Sequence, residues 1–512
     1  MGITRLHLPF ARLGAPLPIW HSAVDRGQWL AAAGSVAQSG GRLVALWGTD
    51  RGEALAVCAA YAVETGLYWV ELGIDAQAAR YPGIAHLFAC ADRMQRATFD
   101  LLGIAAEGAQ DQRPWLNHGA WPPQHRPLRL GEADAAIAPQ ALQDYPFVRV
   151  EGDGVHEIPV GPVHAGIIEP GHFRFSVVGE KVLRLEERLG YAHKGIERRF
   201  RDLPALEGHR LAGRVSGDST VAFAWAYCMA LESALGCDPP ARATWLRALM
   251  LERERVANHL NDLGFLGNDA ALGFGLAQFS RLREDWLRLS GEAFGHRLMM
   301  DGVVPGGVAA DVDGPLRERL LRQCDAIEAE VRALEGIYES HAGLQDRFAT
   351  TGVVSPELAL RLGLTGLAAR ASGQSMDLRC DQPWPPYAGL QVRRAGHRNG
   401  DVAARVAVRF QETLESLRLL RLLCDGLPAG AARRPVAPPA GPAVGAGWVE
   451  GWRGEVLVAL ELGPGGAVRR CHCHDPSWQN WPVLEHAVIG NIVPDFPLIN
   501  KSFNLSYSGH DL

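Results

Sequence analysis

The chain has 512 residues, 47% hydrophobic and 21% charged, the make-up of a globular protein of about three domains rather than a disordered one. Its 51 Lys and Arg against 57 Asp and Glu leave a net charge of −6, which offers no basic face to nucleic acid, and no run of about 18 apolar residues exists to span a membrane. Nine scattered cysteines without a Cys-x-x-Cys pair read as reduced thiols; the first 20 residues hold three prolines and no apolar core, unlike a secretory signal, so a cytoplasmic protein is expected.

The pattern predicts a helix over 24–38, then strands over 42–47, 53–62 and 67–72. Turn signals at Gly48-Thr49-Asp50-Arg51-Gly52 and Thr65-Gly66 separate them, which reads as an antiparallel meander. A helix is expected over 84–102, and residues 110–127, rich in Pro, Gln, Trp and His, read as an extended arm. Residues 1–130 thus form a small α/β unit, 131–147 a linker, and 148–512 a larger, mainly helical unit with small β elements. The fold class is α+β. In the larger unit, strands are expected at 147–150 and 173–178, with a turn at Gly179-Glu180. Helices are expected at 216–235, 241–263, 275–298, 314–341, 355–366 and 401–425. The clearest is 241–263, where Leu249, Val256, Leu260 and Leu263 recur at helical spacing, with Pro239-Pro240 before it and Gly264 at its end. Residues 429–447 read as a Pro/Gly/Ala linker, and 454–462 with 467–473 as a hairpin around Gly463-Pro464-Gly465-Gly466.

Several stretches carry chemistry. Gly161-Pro162-Val163-His164 and Glu169-Pro170-Gly171-His172 flank a hairpin tip that can present titratable groups to a cavity; turn chemistry with surface histidines is the alternative. Glu252, Arg255 and His259 share one helix face. Periodicity alone favours a solvated face, with a buried polar column as the alternative. Arg370-Ala371-Ser372-Gly373-Gln374-Ser375-Met376-Asp377-Leu378-Arg379 reads on its own as an ion-paired turn. In Cys471-His472-Cys473-His474-Asp475 neighbours on a strand point to opposite faces, so one metal ion is not expected to collect them.

Together these residues resemble a fusion of the C and D subunits of complex I, the NADH:quinone oxidoreductase. The resemblance is closest to the large subunit of energy-converting nickel–iron hydrogenases of the formate-hydrogenlyase and hydrogenase-4 type. It is carried in residues 1–130 by Tyr81-Pro82-Gly83, Phe99-Asp100-Leu101-Leu102-Gly103-Ile104 and Arg126-Pro127-Leu128-Arg129. Beyond, it is carried by Gly161-Pro162-Val163-His164, Gly190-Tyr191-Ala192-His193-Lys194-Gly195-Ile196-Glu197, Glu252-Arg253-Glu254-Arg255-Val256-Ala257-Asn258-His259-Leu260 and Pro305-Gly306-Gly307. The 370–379 stretch, Gly400-Asp401, Gly454-Glu455 and Asp475-Pro476-Ser477 complete it, in the family's order.

The departures set the expected function. The family's hydrogenases hold nickel and iron on two Cys-x-x-Cys pairs. These fall here on Ser216 and Ser219, and on Ser506 and Gly509, and the histidine after the first pair falls on Phe223. Hydroxyls do not replace soft thiolates, so no metal and no hydrogen activation are expected. In complex I the vacated cavity takes the quinone headgroup. Its aspartate matches Asp269, its tyrosine matches Gly217, and its loop histidine aligns with Ile168, or with His172 across an insertion. The acidic pair that flanks an arginine in the complex I relatives of residues 1–130 appears as Gln95-Arg96-Ala97.

The resemblance therefore implies a peripheral subunit on the cytoplasmic side of the plasma membrane. It would carry no cofactor of its own and sit beside the terminal iron–sulfur cluster of a small, subunit-B-like protein. A ferredoxin-like subunit and membrane subunits of the antiporter and subunit-H type would complete the assembly, which would couple electron transfer, with quinone as candidate acceptor, to ion translocation. His164, His172 and Asp269 are the expected catalytic groups, with Glu169 and Gly217 also lining the cavity, and a His164–Asp269 contact is expected there. The alternative is a non-catalytic coupling scaffold without a quinone site.

Overall fold

The computed structural model describes residues 3–6, 8–131, 144–165 and 168–512. Most of the linker expected over 131–147 lies outside the described residues. The N-terminal part is a five-stranded sheet of β1 (Ala11–Arg12), β2 (Ile19–Val24), β3 (Arg42–Asp50), β4 (Leu55–Val63) and β5 (Gly66–Ile74), in the order β1-β2-β5-β4-β3. The expected meander is β3-β4-β5. The sheet also contains β2, which sequence periodicity does not pick out and which lies parallel to β5. Helix α1 (Arg26–Gln38) follows β2 and begins at Asp25, whose carboxylate caps the Gln28 N–H.

Of the helix expected over 84–102, only α2 (Ala91–Leu102) forms. Upstream of it the Gln95 side chain accepts the Ile84 N–H and ties the chain into a turn. The arm over 110–127 has no regular structure but is anchored. The Asp100 carboxylate accepts the backbone N–H groups of Trp115, Leu116 and Asn117, and Arg188 donates to the carbonyls of Pro114 and Trp115.

A second sheet pairs β6 (Val155–Val160), β7 (His172–Val178) and β8 (Lys181–Arg188) antiparallel. The strand expected at 147–150 is absent: the Val148 N–H goes to the Glu186 carboxylate instead of a ladder partner. The helical body comprises α3 (Thr220–Leu235), α4 (Ala241–Asp269), α5 (Gly273–Phe294), α6 (Gly314–Ser340) and α7 (Val402–Asp425), near the expected places. Helix α4 runs past Gly264, because that glycine serves packing rather than termination: a Cβ there would come 3.1 Å from Phe279. Gly267 and Gly275 likewise leave room for the Tyr338 hydroxyl, which donates to the Leu263 carbonyl at 2.7 Å.

The third sheet is β9 (Ala443–Glu450), β10 (Glu455–Leu462) and β11 (Val468–His474). The stretch read as a linker over 429–447 therefore ends inside a strand. Its glycines are close-approach positions: methyl groups at Gly445 and Gly447 would meet the carbonyl oxygens of Ala230 and Ala226 on α3. Gly447→Ala is expected to destabilise the fold by about 1–3 kcal/mol, measured by denaturant unfolding, because the strand cannot back away from the helix. A loss below about 0.5 kcal/mol would show that the helix yields.

The same third sheet packs on the N-terminal sheet, where the Trp47 and His472 rings stack at 4.7 Å. Covered on both faces, β3 and β4 are buried nearly throughout and do not alternate. The C-terminal segment folds back through α8 (Ser477–Ala487), α9 (Phe496–Phe503) and α10 (Tyr507–Asp511), the last buried along its whole length. Among the described residues no helix is long and apolar enough to cross a membrane.

Candidate functional site

The four positions where thiolates are absent come together, although they lie at opposite ends of the larger unit. Ser216 precedes the turn that opens α3, and Ser506 caps α10 by accepting the Gly509 N–H at 2.8 Å. The two hydroxyls meet at 3.0 Å. Between them and Ser219 lies an ion pair. Arg453 donates to both oxygens of Asp218 at 2.8 and 2.5 Å, and Ser216 adds a hydroxyl donor at 2.7 Å. Trp452 and Arg453 also donate to the Ser219 hydroxyl, and Arg453 reaches the Asn504 carbonyl. Burial pushes the Asp218 carboxyl up, but the guanidinium outweighs it and the net shift is downward. This donor set does not fit nickel and iron: the hydroxyls are hard and protonated, and a fixed guanidinium repels a cation.

The loop between β6 and β7 reaches this place through Glu169. Glu169 accepts the N–H and the hydroxyl of Ser508, both at 3.1 Å. His164 straps the loop to itself, its Nε2 2.8 Å from the Gly171 carbonyl. His172 turns to the other side, with Nδ1 3.2 Å from the Gly161 carbonyl and its ring beside Phe147; burial pushes its pKa down. Gly217 is exposed, with open space where a side chain would stand.

Asp269 is the last residue of α4 and is exposed. Partial desolvation pushes its carboxyl up, opposed by Lys501. No hydrogen bond or ion pair joins it to His164 among the described residues, which corrects the expected His164–Asp269 contact. The physical reason is the path of α4, which leaves the core before its last two residues.

A buried carboxylate of that helix lies one heptad earlier. Asp262 accepts from Arg409 at 3.0 and 2.9 Å and from Asn504 at 2.7 Å, and Asn504 gives its carbonyl to Arg453. Sequence reasoning missed Asp262, yet it continues the 252, 255, 259 spacing by three residues, onto the same face. That face is not solvated, contrary to what periodicity alone favours; Glu252, Arg255, His259 and Asp262 are all completely buried. They meet a second polar stripe on α7. Glu412 accepts from His259 at 2.8 Å and from Arg370 at 2.7 Å, and Ser416 donates to Glu252 at 2.6 Å. Arg379 and Tyr387 also donate to Glu252. Arg255 donates to the carbonyls of Glu450 and Gly451, and the next residue, Trp452, donates to the Asp218 carbonyl at 2.9 Å. A continuous polar column thus leads from the centre of the helical body to the serine positions. The 370–379 stretch supplies two of its arginines, Arg370 and Arg379, so the ion-paired turn is real but buried.

On β11, Cys471 and Cys473 share one face, their sulfurs 4.0 Å apart. His472 pairs with Glu197 and His474 with Gln479 on the other, the alternation a strand imposes.

Comparison with known proteins supplies the family. Residues 22–132 match the family model described as "Respiratory-chain NADH dehydrogenase, 30 Kd subunit", and residues 271–440 the one described as the "49 Kd subunit". Neither matched segment includes the serine positions. Formate hydrogenlyase subunit 5 of Escherichia coli is 30% identical over 487 residues, 93% of this chain and 85% of that protein. The fused C/D subunit of NADH-quinone oxidoreductase from Bacteroides thetaiotaomicron is 28% identical over 408 residues, 76% of this chain and 77% of that one. In fold, the chain is similar to one from the archaeal membrane-bound sulfane sulfur reductase, a respiratory membrane complex. The TM-score is 0.66 at 24% identity, covering 70% of this chain and 99% of that one. The chain belongs to the family that unites the fused C/D subunits of NADH-quinone oxidoreductase with the large subunits of formate-hydrogenlyase and hydrogenase-4 type.

Proposed function

With that membership as premise, we propose that the chain is a metal-free arm subunit of a membrane-associated, complex I-like oxidoreductase. It would sit beside the terminal iron–sulfur cluster of a small, subunit-B-like partner and pass redox changes on to membrane subunits as proton or conformational shifts. It activates no hydrogen. The observation that carries this reading is the Arg453–Asp218 pair ringed by Ser216, Ser219 and Ser506, where relatives with the full motif would place four thiolates. A ferredoxin-like subunit and membrane subunits of the antiporter and subunit-H type are the further partners, on the cytoplasmic face of the membrane.

The second reading, a coupling scaffold without a quinone site, is favoured by two observations. The Ser216 and Ser506 hydroxyls touch directly, and Gly217 offers no phenol to a headgroup. In the first reading Glu169 and His164 serve the headgroup at the loop.

The test is native purification from membranes. Co-purification with an iron–sulfur protein and less than one-tenth of a nickel per chain are expected. About one nickel per chain, or hydrogen uptake above background, would refute the metal-free reading. A monomer free of any cluster protein would refute the assembly. Quinone titration of the purified complex then separates the two readings: saturable turnover supports the first, and its absence the scaffold.

A further inference from the structure

The polar column carries an excess of negative charge. Arg255, Arg370 and Arg379 face Glu252, Asp377, Glu412 and Glu450, all at most 4% exposed. The neighbouring pairs Arg42–Glu455 and Arg409–Asp262 are each balanced. Lys501, beyond Asp262, is partly exposed to solvent. Three guanidinium groups against four carboxylates leave one uncompensated charge in an interior where it is costly.

We propose that Glu450, at the end of β9, is a buried proton-binding site, occupied at neutral pH, that neutralises this excess. The donor inventory selects it among the four. Glu252 receives donors from Arg379, Tyr387, Ser416 and Arg255. Asp377 is held by both ends of the Arg379 guanidinium and by its N–H. Glu412 has Arg370 and His259. Glu450 has one N–H of Arg370 at 2.9 Å and the Leu378 N–H at 3.1 Å.

His259 is the rival, since a second proton there would also balance the charge. Its Nδ1 is buried with no hydrogen-bond partner among the described residues. Burial, with Arg409 and Arg255 nearby, pushes its pKa down against the pull of Glu412. Burial in the first place, and the Asp377 carboxylate beside it, push Glu450 up against Arg370, Arg255 and Arg379. Asp377 itself, though buried, is drawn down to about 2 by Arg379 and Arg370. The site stands whatever the complex does. A group that gains or loses a proton in a column reaching Asp218 is also the kind of element through which charge at the serine positions would be felt.

Infrared difference spectroscopy on the full chain at neutral pH tests it. Glu254, pushed up to about 8 by burial, also holds a proton there, so a single spectrum does not suffice. The wild-type minus Glu450→Gln difference is expected to lose one protonated-carboxyl C=O band that shifts in D2O. If Glu450→Gln does not fold, Glu450→Asp should shift the same C=O band. Loss of carboxylate bands in Glu450→Gln, or an unmoved C=O band in Glu450→Asp, overturns the assignment.

Discussion

Arg370→Met is expected to cost about 3–5 kcal/mol of stability, since removing one partner of a fully buried ion pair leaves the other charged and dry. Arg370 is completely buried and bridges two carboxylates, Glu412 at 2.7 Å and Glu450 at 2.9 Å. Without it, Glu412 keeps His259 at 2.8 Å and the more distant Arg255 at 3.9 Å, and Glu450 a backbone N–H. Denaturant unfolding followed by tryptophan fluorescence reads the loss. The double variant Arg370→Met/Glu412→Gln should recover a substantial part of it, because the stranded charge is gone. A single-variant cost under about 1 kcal/mol would mean that water reaches the column and screens it.

The second large effect is expected at Arg409→Met, again about 3–5 kcal/mol. Arg409 and Asp262 are both completely buried, and the guanidinium meets one carboxylate oxygen through two N–H groups. Asn504 holds the other oxygen, so the loss should reach the C-terminal helices. Faster amide exchange over α9 and α10 is the second readout. Asp269→Asn is the contrast: on an exposed helix end it should change stability by no more than about 0.5 kcal/mol. A large effect at Asp269 with none at Arg409 would reverse the roles assigned to the two aspartates.

What the sequence reveals and what it hides divide along physical lines. The long helices and the 455–474 hairpin are legible because each is a sustained apolar or periodic run set off by Pro and Gly. The motifs also name the positions that gather at Ser216, Ser219, Ser506 and Gly509, across almost 300 residues. Three features are not legible. Strand β2 pairs with β5 across two intervening strands, which no local pattern encodes. Gly264, Gly445 and Gly447 look like breaks, yet each marks a close approach of two elements. The stripe from Glu252 to Asp262 reads as a wet surface, because periodicity reports polarity and not what covers it. Packing against α7, with Arg409, Glu412 and Ser416 in matching places, and against Arg379 and Tyr387 turns that face inward.

The hydroxyl contact at the serine positions has a consequence for how the chain is made. Ser216 and Ser506 are 290 residues apart, and Asp218 and Arg453 are 235 apart. During synthesis, residues 216–219 leave the ribosome long before their partners exist. Until then α3 has no β9 to lie on, and Asp218 faces water instead of a guanidinium. The interior can close only after residue 506 has been made, which makes completion of this fold a non-local event and a slow one. For as long as that takes, the buried face of α3 is apolar surface that a chaperone would recognise.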